Sequence, residues 1–152
     1  MTANSSSTIP FIFFRLADTH YAVRSDLVQQ IEMIGQVTPI PNARSFVDGV
    51  VFARGQVIPV VNLRARFGFE RIPVDLQTRL MVVASNGRTV GLLTDSAREF
   101  VLLAEDVIQP PPDAVSGLSG EYVAGIATVG DRLVLIVDVD AILNFGDIAT
   151  AT

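Results

Sequence analysis

The chain contains no cysteine, no lysine and a single histidine. Without cysteine there can be no disulfide framework, no zinc–thiolate site and no thiol nucleophile. Without lysine there is no P-loop lysine, no Schiff base and no receiver-domain lysine. The lone histidine, His20, cannot build a multi-histidine metal site. It stands beside an expected turn, lacks the four-helix setting of a phosphoacceptor domain and reads as a surface residue. A serine triad would have to recruit it, and no G-x-S-x-G elbow presents a serine.

Basic charge is scarce too. Eleven arginines face 16 acidic residues, for a net charge of −5. Nucleic-acid binding by counterion release needs a basic face, and an anionic membrane surface asks for the same, so both partner classes are disfavoured. No apolar run approaches the roughly 20 residues of a spanning helix. The start, MTANSSSTI, lacks the basic end and apolar core of a signal peptide. These absences predict a cytoplasmic protein with no direct membrane insertion, no nucleic-acid partner, no metal and no cofactor.

What is present is apolar. Hydrophobic residues make up 49% of 152 and charged residues only 18%, the reverse of a disordered chain. A large core or partner-facing surface accounts equally well for that excess. Residues 1–9 are polar and predict a mobile tail; 10–145 form the folded region; 146–152 read as a loose tail. β-type stretches fall near 11–17, 20–24 and 27–34, with Asp18-Thr19 as a turn. Pro39 and Pro41 mark a long connection. GVVFARGQVIPVVNL predicts two strands around Arg54-Gly55, and Pro59 predicts that the second is an edge or bulged strand. LRARFGF reads as a short helical turn ended by Gly68. LMVVASNGRTVGLLTD is a hairpin turning at Asn86-Gly87, REFVLL a further strand, QPPPD a break, and YVAGIATVGDRLVLIVDV a last hairpin at Gly130-Asp131. DAILNF closes as a short helix.

The pattern repeats. A shift of 76 residues places Gly49 on Gly125, Val57-Ile58 on Leu133-Val134, Val61 on Val137, Ala65 on Ala141 and Phe67 on Leu143. Earlier in each half the shift is 69, placing Tyr21 on Val90 and Asp26 on Asp95. Five short strands per half predict two small barrels, near 10–70 and 78–145, with strand exchange between them possible. Each is marginal alone, so a shared core is expected, with a docking groove in the valley between.

Candidate chemistry is sparse. Asp138 and Asp140 could share one face of a strand and hold a cation, as a metal-assisted hydrolase would need. The plainer alternative is that they end a strand and begin a helix, where acids favour the N-terminal dipole. Arg54 stands at a hairpin tip, where a guanidinium can make a planar bidentate contact. Val28 and Ile31 lie among polar neighbours on the third stretch and read as core, with one free to face outward.

The ordered set Gly49-Val50, Arg54-Gly55, Val57, Pro59-Val60, Leu63-Arg64 and Phe67 resembles the CheW-like domains of bacterial chemotaxis. TVGLLTDSAREFVLL with QPPP, and EYVAGIATVGDRLVLIVDVDAIL, extend the resemblance to roughly residues 10–145. It implies a mostly β fold of two interlocked five-stranded SH3-like barrels and a scaffold without enzymatic activity. Its implied partners are the signalling tip of methyl-accepting chemoreceptors and the regulatory domain of a CheA-type histidine kinase. A kinase-docking or small-ligand-sensing module of the same fold is the alternative. The implied contact residues are Val28, Gln30, Ile31, Arg54 and Gly55. Where the family often carries a glutamate able to pair with the arginine, this chain has Gln30, which can offer only a neutral hydrogen bond.

Overall fold

Both faces of the long first strand are apolar, and both are buried. In FIFFRL the odd positions Phe11 and Phe13 enter one core cluster, while Phe14 and Leu16 enter another. Such a continuous apolar run belongs to a strand with packing on each side. The computed structural model describes residues 7–112 and 120–145. Its elements, in order, are β1 (Thr8–Leu16), β2 (Thr19–Arg24), β3 (Val28–Glu32), β4 (Val47–Ala53), β5 (Gln56–Asn62), α1 (Leu63–Arg66), β6 (Arg79–Ser85), β7 (Arg88–Thr94), β8 (Ser96–Ala104), β9 (Ile108–Gln109), β10 (Val123–Val129), β11 (Arg132–Val137) and α2 (Val139–Leu143).

The strands form two sheets, ordered β8-β1-β2-β11-β10-β9 and β3-β6-β7-β5-β4. Each is the wall of one barrel. One interior is filled by Phe11, Phe13, Ala22, Leu103, Ala127, Val134 and Ile136, the other by Val51, Ile58, Val60, Leu80 and Val82. The third and largest cluster lies between them and draws on both: Phe14, Leu16, Tyr21 and Val137 from one sheet, Val61, Met81, Val83, Val90 and Leu92 from the other. This is the shared core that two small barrels require.

The barrels do not divide at the middle of the chain, as the near-70 boundary supposed. One is built from the central stretch, β3 to β7, and the other from the two ends, β1-β2 with β8 to β11. Strand exchange is complete: β2 lies parallel to β11, and β5 parallel to β7. The chain crosses between sheets at the 3-10 turn Ser25–Leu27 and again at Asp95. These are the places the 69-residue shift superposes through Asp26 and Asp95.

The repeat holds in detail. Ala22 pairs with Ile136 as Gly91 pairs with Val60, a separation of 69 on one side and 76 on the other. β4 carries a bulge between Val47 and Gly49, and β10 one between Val123 and Gly125. At φ 145, with the Thr38 carbonyl oxygen 2.1 Å from where a Cβ would stand, Gly49 admits no side chain. The helices repeat their caps: the Asn62 side chain accepts from the Ala65 N–H, and Asp138 from the Ala141 N–H, each at 3.1 Å. The backbone N–H of Asn62 reaches the Phe46 carbonyl, and that of Asp138 the Tyr122 carbonyl, each at 2.8 Å.

Three expectations are corrected. β1 starts at Thr8, inside the stretch read as a tail, because β8 pairs with it down to Thr8↔Ala104. Residues 1–6 and 146–152 lie outside the described residues. The first turn is Ala17-Asp18 rather than Asp18-Thr19, with Ala17 at φ 55 and its N–H held by the Asp95 carboxylate at 2.8 Å. Pro59 does not mark an edge or a bulge, since β5 has a neighbour on each side. Val50 directs its N–H and carbonyl to Thr38, so the Val50–Pro59 pair exchanges no ladder bonds. The parallel ladder to β7 begins only at Val60, so the missing N–H is never called on.

Because the two caps are equivalent, Asn62→Ala and Asp138→Ala should each lower unfolding free energy by about 1 kcal/mol. The double variant should lose close to the sum in urea titration.

Candidate functional site

The β4–β5 hairpin carries the residue singled out from sequence. Arg54 and Gly55 are its two turn residues, at φ 52 and 79, as a type I′ turn demands. The β6–β7 hairpin makes the same turn with Asn86 and Gly87, at φ 53 and 78. Asparagine tolerates this region, whereas a side chain such as arginine pays about 1 kcal/mol or more there. The pseudo-equivalent hairpin of the other barrel has Gly130, at φ 63, where this one has Arg54. Glycine therefore suffices for the fold at this place, and the arginine is accounted for by its side chain. Its guanidinium is exposed and forms no hydrogen bond or ion pair among the described residues. Behind it Phe52 and Val57 face each other across the strands, 76% and 65% exposed. An exposed aromatic beside an unengaged arginine is the makeup of a protein-contact patch.

β3 supplies the other candidates. Val28, Gln30 and Ile31 are half-buried, and Val28 and Ile31 pack against the shared core. A bulge between Val28 and Gln30 leaves Gln29 without a partner in the ladder and exposed. β3 and β4 stand at opposite ends of the central sheet's order. No hydrogen bond joins Gln30 to Arg54 among the described residues, so the two do not form a bonded pair.

Asp138 and Asp140 take the plainer role. Asp138 caps α2, while Asp140 lies in its first turn and accepts from the Ser85 hydroxyl and the Asn86 amide. Both carboxylates are engaged in the fold, and among the described residues no group of three or more potential ligands could hold a metal ion. His20 lies on β2 opposite Arg15 and is half-exposed.

Two arginines escaped sequence reasoning. Arg64 makes a forked contact with Asp95, Nη2 to Oδ2 at 2.7 Å and Nε to Oδ1 at 2.9 Å, with both side chains mostly buried. Burial works against the Asp95 charge, but the Arg64 hydrogen bond, the Ala17 N–H and nearby arginine charge outweigh it and hold the carboxyl below its usual range. The Asp95 hydrogen bond raises Arg64 in turn. Arg66 lies among three rings, its guanidinium carbon 4.2 Å from the Phe46 centroid, 4.9 Å from Tyr122 and 5.5 Å from Phe145. It donates to the Ile142 and Asn144 carbonyls at 2.9 and 2.7 Å, capping the C-terminal end of α2. Leu63-Arg64 had a signal in the motif, but nothing around Arg66 announced an aromatic cage assembled from positions 46, 122 and 145.

A family model for the CheW-like domain matches residues 10–146. The chain belongs to the CheW-like domain family. It is 30% identical over 139 residues to the chemotaxis protein CheW of Klebsiella aerogenes, covering 91% of this chain and 84% of that one. It is 28% identical over 144 residues to the chemotaxis protein CheW of Bacillus subtilis, covering 95% and 92%. The crystal structure of the scaffolding protein TtCheW from Thermoanaerobacter tengcongensis superposes with a TM-score of 0.81 at 29% identity, covering 87% of this chain and 90% of that one. The mostly β, two-barrel architecture is thus the family's. No described helix is long and apolar enough to cross a membrane.

Removing one partner of the Arg64–Asp95 pair strands a largely buried charge. Arg64→Ala should cost about 3 kcal/mol, the lower end for such pairs because some exposure remains. The Asp95 carboxyl sits lower in the folded state than in the unfolded chain, so its contribution is present at neutral pH and lost as pH falls through the folded value. The stability gap between the native sequence and Asp95→Asn, read by urea titration, should therefore narrow as the pH falls below the ordinary carboxylate value of about 4. Arg54→Gly, relieving the left-handed strain, should leave the fold as stable or raise its urea midpoint.

Proposed function

We propose that this chain is a non-enzymatic cytoplasmic adaptor that couples methyl-accepting chemoreceptors to a CheA-type histidine kinase. Membership of the family supports the class. The observation that carries the reading in this chain is the Arg54 hairpin: a strained, unengaged arginine over an exposed Phe52–Val57 pair. A catalytic role has little to stand on, because Asp138 and Asp140 are spent on capping and side-chain bonds and the lone His20 lies apart on β2.

An adaptor of this kind acts by position. It needs a rigid body and at least two faces that dock separate partners. The exchanged barrels supply the rigidity. Val57 and its repeat equivalent Leu133 are both exposed, at 65% and 58%, so each barrel offers an apolar hairpin face. Gln30 and Ile31, on the end strand β3 of the central sheet, are further half-buried contact candidates on the same barrel. Signal would pass through packing between docked partners, with no chemistry on this chain.

The test is a pull-down of purified protein with the regulatory domain of the cognate kinase and with a receptor signalling-tip fragment, separately and together. The adaptor reading expects binding to both and a ternary complex. Binding to the kinase alone would make the chain a kinase-side accessory, and binding to neither would sink the proposal. Phe52→Glu and Arg54→Ala should weaken capture of at least one partner tenfold or more, with thermal midpoints within about 2 °C of the native sequence because both side chains are exposed.

A further inference from the structure

Along β1 the inner face of the end barrel runs Phe11, Phe13, Arg15, apolar until its last position. Arg15 pairs with His20 on β2 and with Ser96 on β8, and residues directly opposed across a sheet share a face. The three polar side chains therefore stand in one rung at the mouth of that barrel's interior. Arg98, left without a ladder partner by the bulge in this pairing, and Glu99 complete the ring. Together they surround a cavity of about 270 Å³ backed by Phe13.

These groups are not spent on the fold. Ser96 is only 6% exposed, yet its hydroxyl makes no hydrogen bond among the described residues and opens on the cavity. A buried hydroxyl left in this state is a standing cost that a bound partner removes. Arg15 gives its Nε to the Ala17 carbonyl at 3.3 Å and keeps both terminal nitrogens. Arg98 and His20 make no side-chain bond among the described residues. Glu99 is the one carboxylate among the lining residues, and Arg132 holds both its oxygens, at 3.1 and 3.4 Å. Arg15 and Arg98 are thus positive charge left over, on a chain whose net charge is −5.

The central barrel builds the same rung without the charge. The shift of 69 carries Arg15, His20, Ser96 and Arg98 onto Ala84, Thr89, Leu27 and Gln29. Ala84 pairs with Thr89 as Arg15 pairs with His20, and Val82 with Gln30 as Phe13 with Glu99. The fold therefore asks for no basic side chain at this place. We propose that the mouth of the end barrel binds the phosphoryl group of a small phosphate monoester. Arg15 and Arg98 meet its charge with forked N–H groups, and the Ser96 hydroxyl and the His20 ring supply further donors. Donors from four residues suit the three oxygens of a phosphoryl group better than the two of a carboxylate. The cavity holds about nine waters and falls below the roughly 300–1,000 Å³ of sites for drug-sized ligands, so the ester carries a body of only a few atoms. The site stands on the barrel without the Arg54 hairpin and does not rest on the adaptor reading.

The repeat gives the test its own control. The isotope-labelled full chain is titrated with inorganic phosphate, with glycerol phosphate and with acetate, chloride keeping the ionic strength constant. The expected result is saturating shifts of the Arg15, His20, Ser96 and Arg98 amides with both phosphates, while Ala84, Thr89 and Gln29 stay in place. Arg98→Gln, at an exposed side chain without a partner, should leave the thermal midpoint unchanged and weaken the apparent affinity about tenfold. Shifts that never saturate, or that acetate produces to the same extent, would overturn the proposal. Saturation with inorganic phosphate but not with glycerol phosphate would remove the monoester. Native affinity in a folded chain carrying both Arg15→Gln and Arg98→Gln would sink it as well.

Discussion

Neither half of this chain can close a barrel with its own strands. β1 and β2 need β11, and β5 needs β7, so each barrel is completed by strands remote in sequence. Everything else follows from that exchange. Barrels of this size are marginal alone, but interlocking places the largest apolar cluster between them. Tyr21 stacks on Phe14 and meets Phe67, which stacks in turn on Tyr122. The crossing point at Asp95 is fixed by a forked bond to Arg64 and the Ala17 N–H. Breaking it would loosen the corner through which one barrel feeds the other, which is why a single carboxylate there bears on both.

Much of this was legible in the residues, and the reasons differ by feature. Asn86-Gly87 and Arg54-Gly55 were readable because a two-residue turn has strict backbone demands. The repeat was readable because the same order of hairpins, strands and helical turn recurs, and the shift that lays Asp26 on Asp95 aligns two residues the structure places at the sheet crossings. What was not readable depends on the third dimension. The boundary near residue 70 failed because a repeat in sequence does not say which copy a strand pairs with. The Ala17 turn is set by Asp95, 78 residues away. Pro59 escaped the edge-strand rule because its neighbour's bonds go to Thr38.

The candidate site shows the same division. Arg54 stood out by its position at a tip, and the structure adds the strain and the bare Phe52–Val57 face behind it. Val28 and Ile31 were read as core, and they pack as partly buried core; the pairing of Gln30 with Arg54 is not made. Arg66 went unseen because its role needs Phe46, Tyr122 and Phe145 around it, which no local pattern brings together.

The points where the repeat departs from itself are the most informative for function. At position 66 an arginine clamps α2, while its equivalent Ile142 is a fully buried core residue; one cross-barrel clamp is enough. At the hairpin tips Arg54 stands against Gly130, and Phe52 against Thr128, so two faces of common origin in the repeat differ in chemistry. A scaffold that had to hold two copies of one partner would be served by two equal faces. Unequal faces on a rigid, internally exchanged body suit two different partners, each meeting its own side, and fix their spacing through a core that neither can distort without disturbing both barrels.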